Sequence, residues 1–217
     1  MKTLTYFLSL LIYLSFFTST MSAKESVRIG VLAHKNYAST HSMWDPTAEY
    51  LNEKIPEYDF QIVPLRFEEF PPYLRDKKID FVITNSAYYV DLESRYGISR
   101  VATLKNRGFN GKVQMEFGGV IFKRTANTII DHVEDIKNKK FAAVNEESFG
   151  GWIMALRELK EKNINQKDLK TTFYGTHEAV VYAVRDGKAE AGTVRTDTLE
   201  RMASDGKIDI NDFTVLN

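Results

Sequence analysis

A chain of 217 residues, 43% apolar and 27% charged, has enough material for one large domain or two small lobes, and its 29 basic and 29 acidic side chains cancel to a net charge of zero. That balance argues against a polyanion such as nucleic acid as partner, and the absence of cysteine excludes disulfides, thiolate metal sites and a cysteine nucleophile. The four histidines, His34, His41, His132 and His177, form no metal-ligand spacing and no cofactor motif occurs, so neither a metal nor a cofactor is expected.

The chain opens on Met1-Lys2, an apolar run from Leu4 to Phe17 and the small-residue stretch Thr18 to Ala23, the pattern of a secretory signal peptide over residues 1–23. An uncleaved membrane anchor is the alternative, against which the modest length of the run argues. No second run of spanning length follows, so the mature chain is expected outside the cytoplasm, in the periplasm.

A first lobe is expected over residues 24–107. Val27 to Ala33 reads as a strand, His34 to His41 as a polar loop, and Trp44, Ala48, Leu51 and Ile55 recur at helical spacing with Pro46 in the first turn. A strand from Phe60 to Leu65, a short helical piece at Tyr73-Leu74, a strand from Ile79 to Ile83 and a helix from Ala87 to Tyr96 behind Asn85-Ser86 follow, with Val101 to Leu104 as a further strand. Gly108, Gly111, Gly118 and Gly119 flank an extended stretch, which suits a crossover between lobes over residues 108–124.

The alternation restarts in a second lobe over residues 125–217: a helix near His132 to Lys137, a strand at Phe141 to Val144, a helix from Ser148 carrying Trp152, Ala155, Leu156 and Leu159 on one stripe, a strand from Thr171 to Tyr174, a helix from His177 to Arg185, a strand from Glu190 to Val194 and a helix from Thr196 to Ala203. Phe213 to Leu216 begins one more strand.

Alternating strands and helices imply α/β lobes built on parallel sheets with helices on both faces, and in such sheets a ligand sits beyond the carboxyl ends of the strands. The strand-to-helix junctions are Ser39-Thr40-His41, Asn85-Ser86, Ser148 with Gly150-Gly151, Gly175-Thr176-His177 and Arg195-Thr196-Asp197. They are rich in hydroxyls, amides and helix starts, whose unpaired N–H groups and positive dipole end suit a small anion; Arg195 adds a full charge and a bidentate fork. Glu146 and Glu147 would repel an anion and are expected to point outward, or to meet a positive group on the ligand. Tyr88, Tyr89 and Trp44 are candidates to wall the cleft, with core packing as the competing role.

These stretches resemble the periplasmic substrate-binding proteins of phosphate, phosphite and phosphonate ABC transporters. The resemblance is carried by Ile29-Gly30-Val31-Leu32, Ser39-Thr40 before Trp44-Asp45-Pro46, Phe81 to Asn85, Ser148-Phe149-Gly150-Gly151 and Gly175-Thr176-His177-Glu178-Ala179, and it runs from Val27 to Asn217. In form, Ser39-Thr40 with Trp44 and Pro46, and Phe149-Gly150-Gly151, are most similar to the extracytoplasmic sensor domains of histidine kinases of the tetrathionate-sensor type. The resemblance implies a two-lobed type II periplasmic-binding-protein fold, each lobe a mainly parallel sheet flanked by helices. It also implies first-lobe contacts from Asn85 with Tyr88 or Tyr89, a second-lobe cradle from Ser148 and the amides after it, and Thr176 and His177 alongside. The chain departs from the family at Ser86, where many relatives carry proline, and at Phe149-Gly150, where phosphonate binders have hydroxyls. It stops where relatives run on through a return strand, so a shortened product or a fragment of a longer receptor is expected.

Three functions follow as expectations: capture of a small oxyanion as the input of a membrane sensor kinase, capture of the same ligand for an ABC permease, and, in another class, a periplasmic hydrolase. No G-x-S-x-G elbow, H-E-x-x-H helix or nucleotide-binding glycine loop supports the third.

Overall fold

The computed structural model describes residues 24–33, 35–108 and 111–217. The expected signal peptide, residues 1–23, lies outside the described residues, as does His34 of the expected polar loop.

Strand β1 (Glu25–Leu32) is the centre of a three-stranded parallel sheet with β2 (Tyr58–Leu65) and β3 (Phe81–Ile83), in the order β2-β1-β3. Neighbouring residues of β1 serve opposite faces, as the pleat requires. Val31 joins Ile29, Ala48 and Ile62 under helix α1 (Tyr37–Lys54), while Leu32 joins Leu65, Phe67, Phe70, Ile79, Tyr88 and Leu92 on the other side. That second cluster is closed by α2 (Phe70–Arg75) and α3 (Ser86–Tyr96).

After a small hairpin of β4 (Asn106–Arg107) and β5 (Val113–Gln114), the chain enters a five-stranded sheet ordered β10-β6-β9-β7-β8. Its strands are β6 (Gly119–Arg124), β7 (Lys140–Ala143), β8 (Lys170–Phe173), β9 (Ala191–Arg195) and β10 (Phe213–Val215). β9, β7 and β8 run parallel, whereas β6 and β10 are antiparallel to their neighbours, so the second sheet is mixed. Helices α4 (Met154–Glu161), α5 (His177–Arg185) and α6 (Thr198–Ser204) pack around it. Phe141 and Ala143 face a cluster with Trp152, Ala155 and Leu159; Ala142 and Val144 face one with Val180, Val181 and Val184.

Several expected boundaries move, each for a local reason. The stretch from Tyr37 to His41 is helix and not loop, because Asn36 caps α1 by accepting the Ser39 N–H at 2.8 Å. Val101 to Leu104 is not a strand: nothing among the described residues pairs with it, and Val101 is 81% exposed. Val120 to Phe122, expected to continue the crossover as strand, is strand as expected and lies within β6. The segment near His132 is a 3-10 turn, Val133–Ile136, held by the Asp135 carboxylate, which accepts the N–H groups of Asp131 and His132. The last helix starts at Thr198, because Asp197 adopts a left-handed φ of 67°.

The entry to β3 is tied to β1 by Asp80, whose Oδ2 accepts the Arg28 N–H at 2.8 Å and its Nε–H at 3.3 Å. Burial alone would raise the Asp80 pKa, but these two Arg28 contacts outweigh it and hold the carboxyl below its ordinary range. A depressed folded-state pKa contributes stability that is complete above the unfolded value of about 4 and fades as pH falls through the folded one. Asp80→Asn is therefore expected to flatten the acid side of the pH–stability curve below about pH 4, measured by urea melts, while changing the neutral-pH fold little.

Candidate functional site

Asn85 brings the lobes together. Its side-chain oxygen caps α3 by accepting the Tyr88 N–H at 2.9 Å, and its Nδ2 faces the Glu147 carbonyl of the second lobe at 3.5 Å. Glu147 opens the β7-to-α4 connection, whose centre is Ser148, only 4% exposed. The Ser148 hydroxyl accepts the Gly151 N–H at 3.2 Å, its carbonyl accepts the Ile153 N–H at 3.1 Å, and the resulting turn, Phe149–Ile153, is π-helical and runs directly into α4. A single π turn at the mouth of a helix is a common mark of functional sites. It leaves the Phe149 and Gly150 N–H groups as first-turn donors without intrahelical partners.

Glycine is required here on steric grounds. A Cβ on Gly151 would lie 2.4 Å from Val144 Cγ2 and 2.8 Å from the Ser148 hydroxyl, and one on Gly150 would lie 2.9 Å from the Gly118 carbonyl and 3.0 Å from Arg195 Cβ. The turn is thus wedged between β7, the crossover and the end of β9.

Arg195 closes this cluster. Its N–H donates to His177 Nδ1 at 3.2 Å, which leaves the other ring nitrogen, Nε2, as the donor position and ties the start of α5 to β9. Thr176 caps α5 by accepting the Ala179 N–H at 3.2 Å. The Arg195 guanidinium lies 4.4 Å above the Phe117 ring, which packs edge-on against Phe149 at 5.4 Å. Burial, with Arg201 nearby, depresses its pKa, and Asp197 opposes the shift. Among the described residues Arg195 makes no ion pair. Asp197, paired with Arg201 at 3.7 Å, only partly offsets the burial of Arg195, and an anion would offset it further.

Three expected residues sit elsewhere. Ser39 and Thr40 lie within the first turn of α1, where the Ser39 N–H is taken by Asn36 and the buried Thr40 hydroxyl donates to the Asn36 carbonyl at 3.0 Å. Ser39 borders a shallow depression with Lys35, Ala38, Ser42 and Met43. Tyr88 is 2% exposed, with Phe67 and Phe70 edge-on to its ring and its hydroxyl donating to the Phe67 carbonyl at 2.6 Å; burial pushes its pKa well up. It belongs to the first-lobe core. Tyr88→Phe is expected to lower stability by about 1–2 kcal/mol, since the Phe67 carbonyl loses its donor, while ligand affinity stays within twofold. Tyr89 donates to the Glu93 carboxylate on its own helix.

Sequence reasoning missed two participants: Lys35, whose Nζ lies 3.3 Å from Glu178 of the other lobe, and Phe117, whose ring supports Arg195. The Phe117-Gly118-Gly119 run was the available signal, because paired glycines in an extended stretch mark a close backbone approach. Among the described residues no group of three or more histidine, aspartate or glutamate side chains is placed to hold a metal, and no helix is long and apolar enough to cross a membrane.

Two α/β lobes, with helix starts and the half-buried Arg195 gathered where they meet, define a two-lobed binding protein of the type II periplasmic architecture. The comparisons specify it further. The family of periplasmic substrate-binding proteins of phosphonate ABC transporters matches residues 29–217, and the chain belongs to that family. It is 30% identical over 190 residues to the tetrathionate sensor histidine kinase TtrS of Salmonella typhimurium, a match covering 87% of this chain and 32% of the kinase. The binding-protein component of a phosphonate transporter from Pseudomonas aeruginosa superposes with a TM-score of 0.73 at 15% identity, over 90% of this chain and 65% of that one. PhnD1 of Prochlorococcus marinus, solved with methylphosphonate, gives a TM-score of 0.74 at 16% identity, over 89% and 72%. The chain therefore spans about a third of the curated relative and about two thirds of the solved structures.

Proposed function

We propose that this domain captures a small oxyanion between its lobes as the ligand-binding input of a membrane sensor kinase. The observation that carries the anion is Arg195, half-buried and, among the described residues, without an ion pair, beside the first-turn amides of Phe149 and Gly150. Asn85, Ser148, Gly150, Gly151, Thr176, His177 and Arg195 form the proposed contact set, with Ser148 and Gly151 shaping the turn and Thr176 positioning α5. Ser39 is kept as a contact from the rim, and Thr40 and Tyr88 are not. The sensor assignment is supported by the likeness to TtrS across most of the chain.

The second reading, a receptor for a phosphate- or phosphonate-type ABC permease, is supported by the family's own description. Both place the mature domain in the periplasm behind a signal peptide at residues 1–23. The chemistry shared by phosphonates, phosphate and sulfur oxyanions is a compact negative head with several acceptor oxygens, and the same donors suit each.

A thermal-shift series with phosphate, methylphosphonate, sulfate, thiosulfate and tetrathionate tests the proposal. A ligand at about a hundred times its Kd stabilises the folded state by about 2.7 kcal/mol, a clear rise in melting temperature. If none of these anions moves the transition, the oxyanion assignment fails; turnover of one of them would instead place the protein among hydrolases.

A further inference from the structure

We infer that Lys35 and Glu178 form a latch that holds the two lobes together before ligand arrives, so that a contact remote from the ligand sets part of the affinity. The consequence for affinity rests on the proposed capture between lobes; the latch itself is a property of the free protein. Lys35 stands between β1 and α1 on the first lobe, and its Nζ lies 3.3 Å from Oε1 of Glu178, in the first turn of α5 on the second. Glu178 is also held from its own side, where Lys207 Nζ donates to the same Oε1 at 3.0 Å and lies 3.3 Å from Asp205 Oδ2. One carboxylate thus takes a lysine from each lobe, and Lys207 fixes its position in advance.

That arrangement matters because an isolated exposed pair gains little: two long side chains lose freedom to meet, and water screens them. Here Glu178 is only 26% exposed and already ordered, so closure immobilises one further side chain, that of Lys35 at 45%. The carboxylate also sits in the first turn of α5, where the positive end of the helix dipole favours it. Two other polar contacts among the described residues join the lobes: Asn85 Nδ2 to the Glu147 carbonyl at 3.5 Å, near the limit of a hydrogen bond, and Arg201 Nη2 donating to the Arg107 carbonyl at 2.7 Å in the β4–β5 hairpin, so the Lys35–Glu178 pair is the tie between two opposite charges. Losing a pair of this exposure changes a closure equilibrium by about two- to fivefold. Ligand affinity falls by at most that factor, because the apparent Kd varies inversely with the closed fraction.

The chain has no cysteine, so Met43→Cys on α1 and Lys188→Cys beyond α5 give two unambiguous positions for dyes. Energy transfer between them reports the lobe separation of the ligand-free protein. The expected result is a separation that grows as sodium chloride rises from about 10 mM to about 1 M, since exposed charges are screened over that range. Lys35→Ala and Glu178→Ala should each produce the wider separation at low salt, with no further opening in the double variant, and Lys207→Ala should open the protein less than Lys35→Ala. Inorganic phosphate titrated into each variant should bind more weakly, by up to about fivefold. Where no variant binds phosphate, the titration is made with whichever of the five anions gives the largest thermal shift; if none binds, the oxyanion proposal fails and the latch is judged on the free protein. A Lys35→Ala protein with wild-type separation and salt response overturns the latch, as does a Lys207→Ala protein that opens as far as Lys35→Ala.

Discussion

Arg195→Ala is expected to abolish oxyanion binding while leaving the lobes folded. Removing one member of a buried, hydrogen-bonded charge pair costs about 2–5 kcal/mol, or about thirtyfold to several thousandfold in Kd. Arg195 is poised for the large end of that range, because its guanidinium is already ordered on Phe117 and, among the described residues, has no ion pair to break when an anion enters. Arg195→Lys retains the charge but loses the planar stack and the fork, so its affinity should fall between those of wild type and the alanine variant. The apo protein carries a second signature. Deleting a half-buried cation whose burial outweighs the opposing Asp197 charge is expected to leave stability unchanged or slightly higher, whereas a residue that merely held the fold would lower it. Urea melts without ligand, paired with calorimetric titration, separate these outcomes.

Gly151→Ala carries the other large effect, on fold and binding together. The added methyl would lie 2.4 Å from Val144 Cγ2 and 2.8 Å from the Ser148 hydroxyl. Val144 is buried and β-branched, so it cannot rotate away, and the strain falls on the backbone of the turn. Overpacking of this kind costs about 1–3 kcal/mol. It also pushes the Ser148 hydroxyl off the Gly151 N–H, which loosens the turn that aims the Phe149 and Gly150 amides. A lowered denaturation midpoint with at least tenfold weaker binding is expected; wild-type affinity in a stably folded Gly151→Ala protein would show that the turn does not hold the ligand.

The parts legible in the sequence were those fixed by neighbours in the chain. Helix α5 runs from His177 to Arg185 as its periodicity implied, because Thr176 caps it and Val180, Val181 and Val184 commit one face to the core. The Ser148 start was legible for the same reason, although its π-helical turn was not, since that depends on Ile153 reaching back to the Ser148 carbonyl, which the Gly150-Gly151 pair allows by fitting where Val144 and Arg195 leave no room for a Cβ.

What the sequence concealed was decided at long range. Asn36 competed successfully with Ser39 and Thr40 for the cap of α1, three residues of similar capping strength in one polar stretch. Tyr88 and Tyr89 are adjacent on α3, and only the packing of Phe67 and Phe70 determines that Tyr88 turns inward. Val101 to Leu104 has strand composition, yet a strand exists only where another offers its edge. The Lys35–Glu178 pair joins two distant parts of the chain whose charges, read alone, belong to solvated surfaces.

The most direct test of the account is a crystal structure of the protein grown with the oxyanion that gives the largest thermal shift. The anion is expected between the lobes, accepting the Phe149 and Gly150 N–H groups, with the Arg195 guanidinium in hydrogen-bond contact and Asn85 facing it from the first lobe. An anion bound outside that gap, or one bound there while Arg195 remains turned onto Phe117 without touching it, would contradict the account.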